Sequence, residues 1–270
     1  MRTNASGDCQ QNRNHDAIIR VLGKELMRAL ISDVHGNLKA LDAVENQTAG
    51  LEIICLGDVV CYGPDSIECV RRSGSWHSVV AGPLDTAMLD HRPDQWSPTI
   101  NATIQRLRKR FSDSPDAREL FETIASYQSE FTSNGILHFH GVPGNVRDWI
   151  FPEEIYCGNK LDRIANHSQH AFIGGGSHIP GIFRRIQSNW EFTTPQNGKT
   201  YDLPTDEKTI VTLGSVGQPR DTDPRAAYAI LDDTSITFHR VDYDIEETRR
   251  KIEDDPDTEN IHGARLPGGR

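Results

Sequence analysis

Residues 28–47, RALISDVHGNLKALDAVENQ, change hydrophobic period partway along their length. Ala29 to Ile31 form an uninterrupted apolar run, the pattern of a buried strand, whereas Leu38, Leu41 and Val44 recur at the spacing of one helical face. Between them lie Ser32, Asp33, His35, Gly36 and Asn37, polar or small residues just past the carboxyl end of the predicted strand. A buried strand that runs straight into an amphipathic helix opens a βα unit, and such strand ends are where α/β folds place their ligands.

Outward from this stretch the alternation continues. EIICLGD (52–58) and WHSVVAG (76–82) read as strands, and DSIECVRRS (65–73) reads as a helix. Residues 98–130 read as mostly helical, with ARELFETIASYQSEF (117–131) the clearest amphipathic piece. Short strands then follow in GILHFHG (135–141), HAFIGG (170–175), GIFRRIQSN (181–189), KTIVTLG (208–214), AAYAILDD (226–233) and SITFHRVDYD (235–244). The predicted class is α/β, with two sheets face to face and helices outside. Residues 1–26 are polar and weakly periodic, and read either as a flexible extension or as sequence upstream of a true start at Met27. Residues 27–250 read as the domain, and 251–270, charged and rich in Pro and Gly, as a solvated or disordered tail.

A chain of 270 residues can bury one full core, so one domain is expected. No apolar run approaches the roughly 18 residues of a membrane span. The five cysteines, Cys9, Cys55, Cys61, Cys69 and Cys157, are odd in number and lack CxxC spacing, which fits a reducing, cytoplasmic setting. A net charge of −10 argues against a broad grip on a nucleic-acid backbone but leaves room for a local phosphate site.

Residues of metal-ligating type recur at predicted strand ends: Asp33 and His35, Asp58, His140 and His178. Each has a glycine nearby, in Gly36, Gly57, Gly141 and Gly176, which permits a tight turn and close approach to an ion. Two carboxylates and three imidazoles suit Mn, Zn or Fe rather than a thiolate-bound ion. Taken singly, each motif has a plainer reading. A D-x-H after a strand is commonly an Asx-type turn, and of His138 and His140, which share one strand face, one reads as a hydrogen-bonded sheet histidine. His77, His91, His167, His170 and His239 have no such setting and read as surface or core residues.

Taken together and in order, the motifs resemble those of the calcineurin-like metallophosphoesterase superfamily, in particular its small prokaryotic phosphodiesterase-like branch. LISDVHGNLKALDAV (30–44) is similar to that branch's first motif, LGDVVCYGPDSIECV (56–70) to its second, and TLGSVGQPRD (212–221) followed by AAYAILDD to its C-terminal signature. The resemblance implies a four-layer α/β/β/α sandwich of two mixed sheets, with two divalent metals at the strand ends. It places the first metal on Asp33, His35, Asp58 and His178. Asp58 bridges to a second, held also by the asparagine of a GNHD motif, by His140 and by the first histidine of GHTH. Asp58 and His140 are then catalytic residues, the metals bind phosphate oxygens and acidify a water, and the GNHD histidine serves the leaving oxygen.

The chain departs from that pattern on one side only. GPLD (82–85) stands in place of GNHD, and GGSH (175–178) in place of GHTH. Pro83 has no side-chain carbonyl, Leu84 has no proton to donate, and Gly176 has no ligand atom. All three losses fall on the second metal or the leaving group, so one ion is expected, with a second weak or absent. Three functions stay open: a phosphoesterase of weak or specialised activity, a pseudoenzyme binding one metal or a phospho-ligand, and a structural protein with an empty site. The expected partner is a small-molecule or nucleotide phosphoester rather than nucleic acid. Asp85 reads as a cap for the helix that follows or as a side chain turned toward the site, Asp90 and His91 as remote substitutes for the lost groups, and Gly214 and Ser215 as a turn beside the metals. Arg220 reads as an anion contact or an ion-pair partner.

Overall fold

The computed structural model describes residues 27–90 and 92–270, so the expected N-terminal extension and His91 lie outside the described residues. In chain order the strands are β1 (Arg28–Ile31), β2 (Glu52–Cys55), β3 (Ser78–Val79), β4 (Glu130–Ser133), β5 (Ile136–His140), β6 (Ala171–Gly175), β7 (Gly181–Ile186), β8 (Asn189–Thr193), β9 (Thr200–Asp202), β10 (Thr209–Thr212), β11 (Ala226–Leu231) and β12 (Ser235–Val241). The α-helices are α1 (Leu38–Gln47), α2 (Ser66–Ser73), α3 (Pro83–Leu89), α4 (Pro98–Ser112), α5 (Ala117–Ala125), α6 (Asn159–Ala165), α7 (Ile245–Asp254) and α8 (Asn260–Arg265).

Two six-stranded mixed sheets form, in the orders β3-β2-β1-β11-β12-β9 and β4-β5-β6-β10-β7-β8. Period-two alternation within single strands builds three cores. Leu30, Ile54, Ala229 and Leu231 from the first sheet meet Ile136, Ile173 and Val211 from the second in the inter-sheet core. Their neighbours Ala29, Ile31, Ile53, Cys55 and Ala226 face the other way, against Leu41, Val44, Met88, Ile104 and Phe111 of the helices. On the far side Phe172 and Ile210 pack against Leu161 and Ile164 of α6. The expected α/β arrangement of two facing sheets with helices outside is the one observed. Among the described residues no helix is long and apolar enough to cross a membrane.

Two expected elements differ. The amphipathic run 117–131 stops being helical at Ala125, and Glu130–Ser133 pairs antiparallel with β5 instead, because the edge of the second sheet offers Ser133 and Phe131 ladder partners in Ile136 and His138. The segment 251–270, expected as a solvated or disordered tail, is folded. Residues through Asp254 complete α7, and α8 with the short turn after it then buries His262 and Leu266 against the domain. The polar composition hid this, because few residues do the docking. Thr248 donates to Asn37 Oδ1 (3.1 Å), Lys251 pairs with Asp65 (2.5 Å) and Arg110 pairs with Asp255 (2.6 Å).

Asp85 fixes the loop after β2. The helix it was expected to cap starts two residues earlier, at Pro83, with Gly82 as the cap, and Asp85 sits in the first turn of α3 and accepts from Gly82 N–H (3.0 Å). It also accepts from the backbone N–H groups of Asp58 (2.7 Å), Val59 (2.9 Å) and Val60 (3.3 Å). Burial and the neighbouring Asp58 charge push its carboxyl up to about 7, while its N–H donors favour the ionised form.

Three outcomes follow from this packing. Asp85→Ala strands buried N–H donors and should lower unfolding free energy by about 2–3 kcal/mol in a denaturant titration. Leu266→Ala should cost about 2–5 kcal/mol as a buried core truncation, whereas a solvated tail would give a change within about 0.5 kcal/mol. Burial, helped by Arg265 and Arg220, holds the His262 imidazole down at about 4, while an unfolded chain protonates its histidines near about 6.5. The unfolded state therefore binds more protons between those values, and stability should fall as pH drops through that window, less steeply in His262→Gln.

Candidate metal centre

The five residues picked out in the sequence converge where the two sheets meet. Asp33 and His35 follow β1, Asp58 follows β2, His140 ends β5 and His178 follows β6. Asp33, His35, Asp58 and His178 all hold left-handed backbone, with φ of 55°, 49°, 53° and 60°. Main-chain bonds over-determine these turns: Asp33 N–H donates to Gly57 O (2.9 Å), His35 N–H to Asp58 O (3.0 Å) and Gly217 N–H to Asp33 O (2.9 Å). Gly217 must be glycine, since a Cβ there would overlap the Val34 carbonyl. The expected turn beside the site is present, with Ser215 Oγ donating to Asp33 O (2.8 Å).

Each of the three imidazoles directs Nδ1 at a main-chain carbonyl: His35 at Val60 O (3.3 Å), His140 at Leu56 O (2.6 Å) and His178 at Gln218 O (2.6 Å). A carbonyl only accepts, so Nδ1 carries the proton and Nε2 presents a lone pair. His35 Nε2 and His178 Nε2 nevertheless face each other at 3.1 Å. Asp33 Oδ1 stands 3.4 Å from His178 Nε2 and 3.8 Å from His35 Nε2. Burial lowers the basicity of both rings, with His178 adding to the effect on His35, so neither supplies a proton. Asp33 Oδ1 and His140 Nε2 are buried and have no hydrogen-bond partner among the described residues. Inward lone pairs without protons are repulsive unless a cation lies among them, and these donors fit a divalent ion.

The ligand-type atoms form two overlapping groups, Asp33 with His35 and His178, and Asp33 with Asp58 and His140, each within 4.8 Å. The carboxylate common to both is Asp33, where the resemblance gives the shared role to Asp58. Burial, and then the Asp33 charge, raise the Asp58 carboxyl well above the usual range, a shift that a bound cation reverses. Among the other polar residues, Asp90 is an exposed partner of Arg92 (2.6 Å), and His77, His167, His170 and His239 join neither group. His138 faces Ser133 Oγ (3.1 Å) and stacks on Phe131, as a sheet histidine. Arg220 donates to Gln218 Oε1 (2.7 Å) and forms no ion pair among the described residues.

The departing motifs have become structural. Pro83 takes the first position of α3, and Leu84 is buried in the helix-side core while its N–H donates to Asp58 Oδ1 (2.9 Å). Gly176 N–H donates to Asp33 Oδ2 (3.0 Å). Sequence reasoning missed a supporting column of rings in which His178 stacks on His35 (4.9 Å), His35 meets Tyr62 (4.5 Å) and Tyr62 stacks on His262 (4.3 Å). It also missed Trp149. Tyr62 lies within the second quoted motif, but nothing local in the sequence marks His262 or Trp149.

A family model described as the calcineurin-like phosphoesterase superfamily domain matches residues 26–235. An uncharacterized protein of Methanocaldococcus jannaschii, MJ0912, is 31% identical over 234 residues, spanning 84% of this chain and 91% of that one. A metallophosphoesterase structure from Sphaerobacter thermophilus superposes with a TM-score of 0.78 at 27% identity, covering 91% of this chain and 99% of its own. A hypothetical protein from Pyrococcus horikoshii OT3, PH1004, shares the fold with a TM-score of 0.67 at 18% identity, covering 90% and 98%. With the ordered motifs, the converging ligand atoms and the matched length, the chain belongs to the calcineurin-like phosphoesterase superfamily.

Proposed function

We propose that the chain is a metal-dependent phosphoesterase acting on small phosphate esters, nucleotides among them. The observation that carries this reading is the buried convergence of Asp33 Oδ1 and His140 Nε2, both without a hydrogen-bond partner among the described residues, with the Nε2 atoms of His35 and His178, which face each other at 3.1 Å. When bound there, a divalent ion of the Mn, Zn or Fe kind supplies Lewis acidity to a phosphoryl oxygen and acidity to a water. Asp33, His35 and His178 would hold it, with Asp58 and His140 as the neighbouring ligand-type residues that share Asp33 with them. Arg220 is exposed and its charge acts on His35, His178 and Asp58, so its guanidinium N–H groups meet an incoming phosphoryl group. Arg147 also acts on Asp58 and is steadied by stacking over Trp96 at 3.9 Å.

With Leu84 buried and aliphatic, no side chain at that position protonates the leaving oxygen. General acid catalysis is typically worth about 10²- to 10⁴-fold, so nitrophenyl esters should be hydrolysed and alkyl esters left nearly untouched. The same residue favours the second reading, a module that binds a metal and a phospho-ligand without turnover.

In the presence of Mn, hydrolysis of a bis-nitrophenyl phosphodiester should drop at least about 100-fold in Asp58→Asn. An unchanged rate would assign the activity to a contaminant. Arg220→Ala should raise KM for a nitrophenyl phosphate about tenfold or more with a smaller change in kcat, the mark of a lost ground-state phosphate contact. Metal binding by calorimetry with no hydrolysis of either activated ester would shift the assignment to the binding module.

A further inference from the structure

Gly176 adopts φ +101° beside the centre, and a Cβ built on it would lie 2.4 Å from Trp149 Cδ1, 2.8 Å from Trp149 Nε1 and 2.9 Å from His140 Nε2. The indole edge therefore occupies the space that any side chain at 176 would enter. The same point lies within reach of the unpartnered nitrogen of His140. Gly176 and Trp149 are complementary in shape: the first has no side chain because the second fills the volume.

The main chain that carries the indole is anchored on both sides. Trp149 O accepts from Lys160 Nζ (2.8 Å), and Lys160 is itself fixed by Asp148 (2.7 Å) and Glu154 (2.5 Å). Ile150 is buried in the outer core. Two residues earlier Arg147 donates to Gln95 O (2.8 Å) and lies over Trp96. A segment anchored this way presents Trp149 as a wall beside Gly176, although the residue remains 38% exposed.

The two ligand groups differ in what surrounds them. The Asp33–His35–His178 group is backed by Tyr62 and has Arg220 near it. The Asp33–Asp58–His140 group shares its Asp33 with the first and spends Asp58 Oδ1 on Leu84 N–H. The indole closes the place from which position 176 could have added a donor to it. A divalent ion needs about four ligands, and the Cδ1–Nε1 edge of the indole, which carries an N–H donor and no free lone pair, supplies none while filling the space where water could.

Resting on the phosphoesterase reading's metal assignment, we infer that Trp149 is the specificity-determining residue that makes the centre mononuclear, excluding a second ion from the His140 side. The test is metal stoichiometry of the full chain, using Mn alone in calorimetry and elemental analysis after gel filtration. The wild type should bind one Mn per chain at saturation. Trp149→Ala should bind two, and Trp149→Phe, which keeps a ring in the gap, should return to one. Because Trp149 is part-exposed, Trp149→Ala should fold, and circular dichroism checks it. Co binding should quench part of the tryptophan fluorescence of the wild type, and that part should vanish in Trp149→Phe. Two Mn in the wild type, or one in both variants, would overturn the inference while leaving the metal assignment intact. No Mn in any of the proteins would overturn the metal assignment itself.

Discussion

Three imidazoles in the interior of this protein each give their Nδ1 proton to a main-chain carbonyl. That constraint turns every Nε2 lone pair inward, toward Asp33 Oδ1, and leaves the cluster with acceptors and no donors. The backbone is arranged around it. Four of the five residues stand in left-handed turns, which cost an ordinary residue about 1–2 kcal/mol each. Such strain persists only where surrounding structure over-determines it, and here carbonyl and N–H groups from β1, β2 and the 214–218 turn do so. The inter-sheet core holds those strand ends in register, and the fit of a divalent cation follows from the same geometry.

The lost motif residues have been absorbed rather than left as gaps. Proline starts a helix because its missing N–H is not needed at the first position. Leucine fills the core beneath it, and Asp85 keeps the loop of Asp58 in place through its N–H donors. Glycine at 176 is matched by tryptophan at 149. The two halves of the centre thus differ in kind. The His35–His178 half is supported by the ring column that ends in His262, while the His140 half is closed by an indole.

Much of this organisation is legible in the linear pattern of residues. Period changes at 28–47 and 52–82 give βα units because burial on both faces and on one face leave different patterns. The five ligand residues are marked by their positions after strands and beside glycines. The end of α5 is not legible there, since residues 126–131 keep helical spacing and only the presence of a neighbouring strand edge draws Glu130–Ser133 into a sheet. The fold of 251–270 is equally hidden. Its composition is that of a solvated chain, and a few docked groups, His262 and Leu266 above all, outweigh it.

By itself the sequence determined the α/β class, the order of the strand-end motifs, the identity of the five convergent polar residues and the absence of a ligand atom at 83, 84 and 176. Each of these depends on residue type and local spacing, which a linear pattern carries. Tertiary structure alone decided that Asp33 lies in both ligand groups, that His262 backs Tyr62, and that Trp149 fills the space beside Gly176. Those relations join residues from different layers of the sandwich, and their closeness comes from sheet packing and loop anchoring, which no local period encodes.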